Sequence, residues 1–270
     1  MTTKLPPVFS AKGLHYSFGE RPILQGLSLD LQKGDILSLI GPNGVGKTTA
    51  LRLMAGIIPL AGHGKELGLV QYLGQDFLSL APWERASRVV YLPAEVRTEF
   101  PLTAYELVQL GRSRSRLSLL GELSGEDRDK IRSAMELTGC WDLRARDYHT
   151  LSGGERQLVC FARGIAQDAR VLLLDESFSR LDLHHQSRIG RLLATLGAEG
   201  YSFILVSHDL AFVLEYSTSC LIWPASGPMA HGPVKETLTE ARLRDLYPGA
   251  QVFLGQNPRT GAPKIFFDRV

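Results

Sequence analysis

The sequence predicts an α/β fold around a largely parallel sheet, because short apolar runs typical of buried strands alternate with helix-type patterns. From about residue 96 to 166 this alternation stops, and helical patterns follow one another without a clear strand. We therefore expect a helical subdomain inserted into an α/β core. Near the end of the chain QVFLGQ and APKIFF flank NPRTG, which predicts a hairpin extension at about residues 248–270. The strand candidates are DILSLI (35–40), VVYL (89–92), RVLLLD (170–175) and YSFILVS (201–207).

Length and composition limit the class of protein. A chain of 270 residues can bury one sizeable core, or a core plus a small subdomain. The net charge of +2 gives no global reason to expect nucleic-acid binding. The three cysteines form no C-x-x-C pair, which is typical of small buried residues in a reducing compartment. No apolar run approaches the ~18 residues of a bilayer span, and MTTKLPPVFS lacks the apolar stretch of a secretory signal, so we expect a cytosolic protein.

A phosphate-binding loop is predicted at GPNGVGKTT, because this segment fits G-x-x-x-x-G-K-[ST] between a strand and a helix. Glycines let consecutive N–H groups surround phosphate oxygens. Lys47 is expected to reach the β- and γ-phosphates, and Thr48 to bind Mg²⁺. The predicted nucleotide-binding residues of this loop are Gly41, Pro42, Asn43, Gly44, Val45, Gly46, Lys47, Thr48 and Thr49.

A second nucleotide element is LLLDE at residues 172–176, a buried apolar strand that ends in two acids. Asp175 is predicted to lie near the metal, and Glu176 to orient and activate a water molecule. Taken alone, the motif also fits an acidic strand end that faces solvent.

The segment LSGGE at residues 151–155 begins a predicted helix in an unusual way. Ser152 and Glu155 have capping-box spacing, but Gly153 and Gly154 lie between them. Glycine inside a helix costs up to about 1 kcal/mol relative to alanine. The glycines either belong to the preceding loop, or they let an anion such as phosphate approach the helix N-terminus closely.

These motifs, with SRLD (179–182) and SHD (207–209), occur in the order and spacing of ATP-binding cassette (ABC) ATPases, which the chain resembles over nearly its whole length. The resemblance implies a single domain over residues 1–270, in which a P-loop NTPase core carries the helical subdomain and an antiparallel β subdomain. It also implies ATP and Mg²⁺ as cofactors. In a homodimer of such subunits, the signature helix of one copy, LSGGE here, grips the γ-phosphate bound to the loop of the other.

The resemblance assigns roles to further residues. Phe18 lies where the family stacks an aromatic ring on adenine; Tyr16 is a substitute, and burial in a sheet is the alternative for Phe18. His208 matches the switch histidine that contacts the γ-phosphate and the attacking water. Asp182 matches the loop through which the two sites of the dimer sense each other.

The chain departs from the family pattern in two places. Ser177 and Phe178 follow Glu176 where the family usually has Pro-Thr, a change expected to alter the strand exit and leave the acid in place. Ala94 stands where the family's glutamine would contact Mg²⁺ and water. Glu95 either supplies a carboxylate to Mg²⁺ from the next position, or points to solvent.

Further segments resemble the ATPase subunits of importers for iron–siderophore complexes, haem and vitamin B12. They are FPLTAYELVQLGR, LSGEDRDKIRSAMELTG, LDLHHQ and the tail after VSHDL. The resemblance implies integral membrane permease partners, an external substrate-binding protein acting through them, no nucleic acid, and a peripheral position at the cytoplasmic face of the inner membrane. A non-transport nucleotide switch and an exporter ATPase are the alternatives. Switch relatives generally carry a long coiled-coil insertion or two cassettes in one chain, and this sequence has neither.

A basic cluster, GRSRSR, contains Arg112, Arg114 and Arg116. These side chains either lie close to a membrane partner or anionic lipid, or form an ordinary solvated charge run.

Overall fold

The computed structural model describes residues 6–60, 68–112, 123–178, 181–249, 252–259, 261 and 263–267. The strands are β1 Phe9–Phe18, β2 Arg21–Leu31, β3 Ile36–Ile40, β4 Leu69–Tyr72, β5 Gln75–Asp76, β6 Val89–Leu92, β7 Val171–Asp175, β8 Ser202–Val206, β9 Ser219–Ile222, β10 Ala230–Pro233, β11 Val252–Gln256 and β12 Pro263–Phe267. The α-helices are α1 Lys47–Met54, α2 Pro82–Ala86, α3 Ala104–Gln109, α4 Gly125–Thr138, α5 Gly153–Ala166, α6 Leu183–Ala198, α7 Leu210–Tyr216, α8 Val234–Thr237 and α9 Glu240–Leu246.

The central sheet has the strand order β10-β9-β3-β8-β7-β6, and all its pairings are parallel except that of β10 with β9. All four strand candidates form strands of this sheet, so that expectation is confirmed. Alternate residues of its strands face different cores. In β7, Leu172 and Leu174 face a cluster with α5 and α6, whereas Val171 and Leu173 face one with α1 and β1. Burial on both faces explains why these strands are apolar at nearly every position.

A second sheet, in the order β2-β1-β4-β5, is antiparallel. It buries Phe9, Leu14 and Leu27 against α1 and the parallel sheet. Together the two sheets confirm the predicted fold class, an α/β core with an antiparallel β part. Near the C-terminus β11 pairs with β12 in an antiparallel ladder that joins Val252 to Phe267.

Helices occupy the chain between β6 and β7, where α3 and α4 both pack against α5. Helix α4 begins after Ser124, whose Oγ accepts a hydrogen bond from the Asp127 N–H at 3.1 Å. Arg112, by contrast, is neither solvated nor available to a membrane, so both expectations are wrong for it. It is 7% exposed, and it donates to Asp127 at 2.7 Å and to the Ala166 carbonyl oxygen at 2.8 Å. Arg114 and Arg116 lie outside the described residues.

Within the described part of the chain, none of the helices combines the length and the apolarity that crossing a membrane requires.

Candidate functional site

The phosphate loop connects the end of β3 to the start of α1, and its backbone requires glycine. Gly46 has φ of 114°, and a Cβ added there would lie 2.9 Å from Cγ2 of Ile23. A Cβ added at Gly41 would collide with the carbonyl oxygen of Trp223. Helix α1 begins without a side-chain cap. Its first N–H groups therefore suit an anionic ligand such as phosphate.

Lys47 is 5% exposed and is held against its own loop. Its Nζ donates to the carbonyl oxygens of Gly41 at 2.8 Å and Pro42 at 2.9 Å. Burial lowers the pKa of Lys47, and the negative charges of Glu176 and Asp175 oppose that shift. The ammonium group therefore lies where phosphate oxygens would meet both it and the helix N-terminus.

Asp175, at the end of β7, accepts a hydrogen bond on each carboxylate oxygen. Thr48 Oγ1 donates to Oδ1 at 3.0 Å, and the hydroxyl of Tyr91 on β6 donates to Oδ2 at 2.9 Å. Burial raises the pKa of Tyr91 to about 12, so this hydroxyl keeps its proton at neutral pH. Thr48 and Asp175 offer the hard oxygen atoms that Mg²⁺ prefers.

The acid and the histidine predicted to act on water meet next to this group. Glu176 Oε1 lies 3.2 Å from His208 Nε2, which must carry the proton when Glu176 is ionised. Glu176 has φ of 49°, a left-handed conformation that is uncommon for a residue with a side chain. The turn after β7 thereby directs this side chain toward the end of β8, where His208 follows. A cavity of about 310 Å³ opens beside the two residues.

The signature segment forms the expected capping box at the start of α5. Ser152 Oγ accepts from the Glu155 N–H at 3.3 Å, and Glu155 Oε2 accepts from the Ser152 N–H at 2.7 Å. The backbone hydrogen bond from Ser152 contributes most to a lowered pKa of Glu155. Helix α5 begins at Gly153, so Gly153 and Gly154 belong to the helix, and the alternative that places them in the preceding loop is wrong.

Comparison with known proteins places this chain in a family. The model of the family described as "ABC transporter" matches residues 24–179. The chain belongs to the ABC transporter family. Within that family it is an ATP-binding subunit that hydrolyses ATP.

Several import ATPases resemble this ABC ATPase over nearly its whole length. It is 33% identical over 258 residues to the hemin import ATP-binding protein HmuV of Thermobifida fusca, covering 96% of this chain and 88% of that protein. It is 34% identical over 255 residues to the iron(3+)-hydroxamate import ATP-binding protein FhuC of Bacillus subtilis, covering 94% and 92%. A solved inward-facing ABC transporter described as of the metal-chelate type gives a TM-score of 0.79 at 24% identity, covering 97% of this chain and 98% of that one. That last likeness shows the fold alone.

The remaining predicted residues lie at separate places on the ABC ATPase. Phe18 ends β1 and is 57% exposed, so it is not buried in the sheet; its ring meets that of Tyr16 edge to face at 5.2 Å. Asp182 caps α6 and accepts at 2.9 Å from both the backbone N–H and Nδ1 of His185. Glu95 forms an ion pair with Arg97 at 3.4 Å. Ser179 and Arg180, which precede Asp182 in SRLD, lie outside the described residues.

Ser177 and Phe178, which replace Pro-Thr after Glu176, connect the end of β7 to neighbouring elements. Ser177 Oγ donates to the carbonyl oxygen of Leu92 at 3.2 Å. The Phe178 ring packs edge to face on Phe161 of α5 at 5.2 Å and lies 6.4 Å from the ring of Phe212 on α7. Glu176 still contacts His208 in this arrangement.

The structure therefore brings the phosphate loop together with the ends of β7 and β8, and it leaves the signature segment apart from them. Lys47, Thr48, Asp175, Glu176 and His208 form a contiguous group at the carboxyl ends of the parallel strands. No hydrogen bond or ion pair among the described residues joins Ser152 or Glu155 to it. The motifs predicted these residues but missed Tyr91, for which the only sequence signal was a hydroxyl in the otherwise apolar strand VVYL.

Proposed function

We propose that this ABC ATPase powers a membrane importer for an iron chelate, haem or cobalamin. The observation that carries the proposal is the contiguous hydrolytic group on a chain whose relatives are named for hemin and iron(3+)-hydroxamate import. Integral permease subunits would anchor it at the cytoplasmic face of the inner membrane. An external substrate-binding protein would act through those subunits, and no nucleic acid is involved.

The residues around the loop suit ATP with Mg²⁺. N–H groups of residues 41–49 and the Lys47 ammonium would hold the β- and γ-phosphates. Thr48 and Asp175 would hold Mg²⁺. The Thr48 hydroxyl already donates its proton to Asp175, so its lone pairs are directed away from the carboxylate. Mg²⁺, when bound, neutralises charge that develops on the phosphates.

Glu176 and His208 supply the chemistry on water. A water oxygen forms a bond to the γ-phosphorus while the bond to the bridging oxygen of ADP breaks, and Glu176 accepts a proton from that water. His208 orients the Glu176 carboxylate through the 3.2 Å contact. Asp182 belongs to the loop that faces the second copy and relays the state of one site to the other.

The signature segment supports a homodimer as the working unit. Ser152 is exposed, and the α5 N-terminus around Gly153 and Gly154 is open to close approach by an anion. In the dimer this end would bind the γ-phosphate held by the phosphate loop of the second copy. ATP binding then closes the dimer, hydrolysis reopens it, and the helices between β6 and β7 transmit the motion to the permease.

Co-purification tests the importer. The tagged chain is isolated from membranes of the cells that produce it, its partners are identified by mass spectrometry, and the complex is reconstituted for uptake of haem or a ferric chelate. We expect integral membrane proteins and ATP-dependent uptake. The Glu176→Gln variant should recover the same partners without sustained uptake. Recovery with ribosomes or DNA and no membrane protein would contradict the importer, and outward transport would make it an exporter.

A further inference from the structure

Tyr91 connects three elements at the predicted Mg²⁺ site. It lies on β6, which pairs in parallel with β7, the strand that ends in Asp175. Its hydroxyl donates to Asp175 Oδ2 at 2.9 Å and accepts from Nε of Arg52 on α1 at 3.2 Å. The same helix carries Thr48, whose hydroxyl donates to the other oxygen of Asp175.

The chemistry of these groups fixes the direction of every hydrogen bond. A guanidinium group only donates, so the phenolic oxygen of Tyr91 must accept from Arg52. Its single hydrogen is then directed to Asp175. An ionised carboxylate only accepts, and Asp175 receives one hydrogen from Tyr91 and one from Thr48. Held on both oxygens, the carboxylate cannot turn about its terminal bond without losing a hydrogen bond.

We propose that Tyr91, oriented by Arg52, is a positioning residue that holds the carboxylate of Asp175 in the orientation that binds Mg²⁺ with ATP. This role rests on the proposed function, because it presumes that Asp175 serves Mg²⁺. In this role Tyr91 acts through Asp175, to which its hydroxyl donates.

The role of Tyr91 matters more in this chain because Ala94 cannot contact Mg²⁺ or water through a hydrogen-bonding group. Ala94 follows shortly after the end of β6, and its methyl group offers neither a donor nor an acceptor. Of the residues from Tyr91 to Glu95, Tyr91 is the one with a described hydrogen bond to Asp175. Strand β6 leads toward the helices. Its described contact with the predicted Mg²⁺ site is therefore the Tyr91 hydroxyl, which lies between α1 and β7.

Tyr91→Phe tests the role because it removes the hydroxyl and keeps the ring. Hydrogen bonds to charged groups are among the stronger ones, so we expect the Mg²⁺ concentration for half-maximal hydrolysis to rise about 5- to 20-fold. The rate at saturating Mg²⁺ should fall much less. Affinity for ATP without Mg²⁺ should not change. The gain in ATP affinity on adding Mg²⁺, measured by calorimetry in the Glu176→Gln background, should shrink by the same factor.

Three further variants separate positioning from general stability. Tyr201→Phe removes a hydroxyl that lies 3.5 Å from Asp168, outside the site, and should leave the Mg²⁺ curves at parental values. Arg52→Met leaves the Tyr91 hydroxyl present but unoriented, so it should shift the curves in the same direction by a smaller factor. Arg52→Lys should partly restore them, because lysine still donates a hydrogen bond. If Tyr91→Phe does not fold, the Arg52 pair carries the test.

The outcomes distinguish this role from the proposed function. Parental Mg²⁺ dependence in both Tyr91→Phe and Arg52→Met, with the parent binding Mg²⁺ and ATP normally, would overturn the positioning role alone. A parent whose ATP binding and hydrolysis ignore Mg²⁺ would overturn the positioning role together with the Mg²⁺ site. If the variants show the expected Mg²⁺ shifts and the co-purification recovers no membrane partner, only the importer is contradicted.

Discussion

The phosphate-binding region and the signature region differ in where their hydrogen bonds lead. We define the first by residues 41–49 with Asp175, Glu176 and His208, and the second by residues 151–155. In the first region, Thr48 of α1 bonds to Asp175 of β7, and Glu176 contacts His208 after β8. Asp175 also accepts a hydrogen bond from Tyr91 of the neighbouring strand β6. In the second, Ser152 and Glu155 bond to each other, and Glu155 also pairs with Arg146 at 3.3 Å.

The hydrogen bonds of the phosphate-binding region join segments that are distant in the chain, whereas those of the signature region stay close to the start of α5. One chain supplies all the side chains of the phosphate-binding region that are predicted to bind ATP and Mg²⁺. The signature region has a capped helix start, two glycines in its first turn and no described bond to the phosphate loop of the same chain. In the proposed homodimer a second copy would supply its ligand, so substitutions in this region test the homodimer directly.

Glu176→Gln should produce the largest effect, because it disables the phosphate-binding region at the chemical step. Glutamine keeps the shape but cannot accept the proton, and a general base typically contributes ~10²–10⁴ in rate. Steady-state hydrolysis should fall by that factor while ATP binding remains. Size-exclusion chromatography with ATP and Mg²⁺ should then show a trapped dimer. A parental hydrolysis rate would show that Glu176 is not the base.

Ser152→Arg should break the signature region and spare the phosphate-binding region. The arginine side chain would occupy the space that the second copy's γ-phosphate needs. Misplacement of a reacting group can cost up to about 10²-fold, so we expect a loss of that order in hydrolysis and a loss of ATP-driven dimerisation. Affinity of the monomer for ATP, measured by calorimetry, should stay parental.

Ser124→Arg is the matched control for Ser152→Arg. Ser124 caps α4 in the similar sequence LSGED, and its Oγ accepts from the N–H three positions on, as Ser152 does. Both substitutions should lower the free energy of unfolding by about 1 kcal/mol through the lost cap. Only Ser152→Arg should abolish dimerisation. Equal dimerisation of the two variants would refute the cross-subunit role of the signature region.

Sequence reasoning succeeded where structure depends on local spacing. The apolar strands, the glycines of the phosphate loop and the Ser152 capping box all follow from residues close together in the chain. It failed where partners come from distant segments. The contact of Tyr91 with Asp175 depends on β6 lying beside β7, and the burial of Arg112 depends on how α4 and α5 pack around it. Neither arrangement can be read from a pattern within one segment.

Phe18→Ala should have a smaller effect, confined to affinity for the base of the nucleotide. Removing a ring that stacks on a base typically costs about 1–3 kcal/mol, which corresponds to roughly a 5-fold loss of affinity at the low end. We expect weaker ATP binding and little change in the rate at saturating ATP. Tyr16→Ala is the comparison, since Tyr16 contacts the Phe18 ring and is the other candidate. A greater loss of affinity in Tyr16→Ala would transfer the stacking role to Tyr16.

Glu95 lies in the segment that leads from β6 to the helices, between the two regions. Its ion-pair partner Arg97 has a side chain that is 88% exposed, and Glu95 lines a small cavity together with Gly153 of the signature region. A surface ion pair of this kind contributes at most about 1 kcal/mol. Turning Glu95 toward Mg²⁺ would therefore cost little, because the ion pair with Arg97 is weak.

Glu95→Ala should have the smallest effect, and it tests whether Glu95 serves the phosphate-binding region. If Glu95 supplies an oxygen to Mg²⁺, its loss should raise the Mg²⁺ requirement of hydrolysis by about two- to fivefold, since water can replace a single ligand. Ala94→Gln in the Glu95→Ala background should recover part of that loss, because glutamine restores a polar oxygen nearby.

The measurement is the hydrolysis rate against Mg²⁺ concentration in the assembled transporter, with uptake followed in parallel. Glu99→Ala, which removes another exposed carboxylate of the same segment, is the control and should match the parent. Superimposable curves for the parent and Glu95→Ala, with unchanged uptake, would exclude Glu95 from the metal site and leave Thr48 and Asp175 as the protein's ligands.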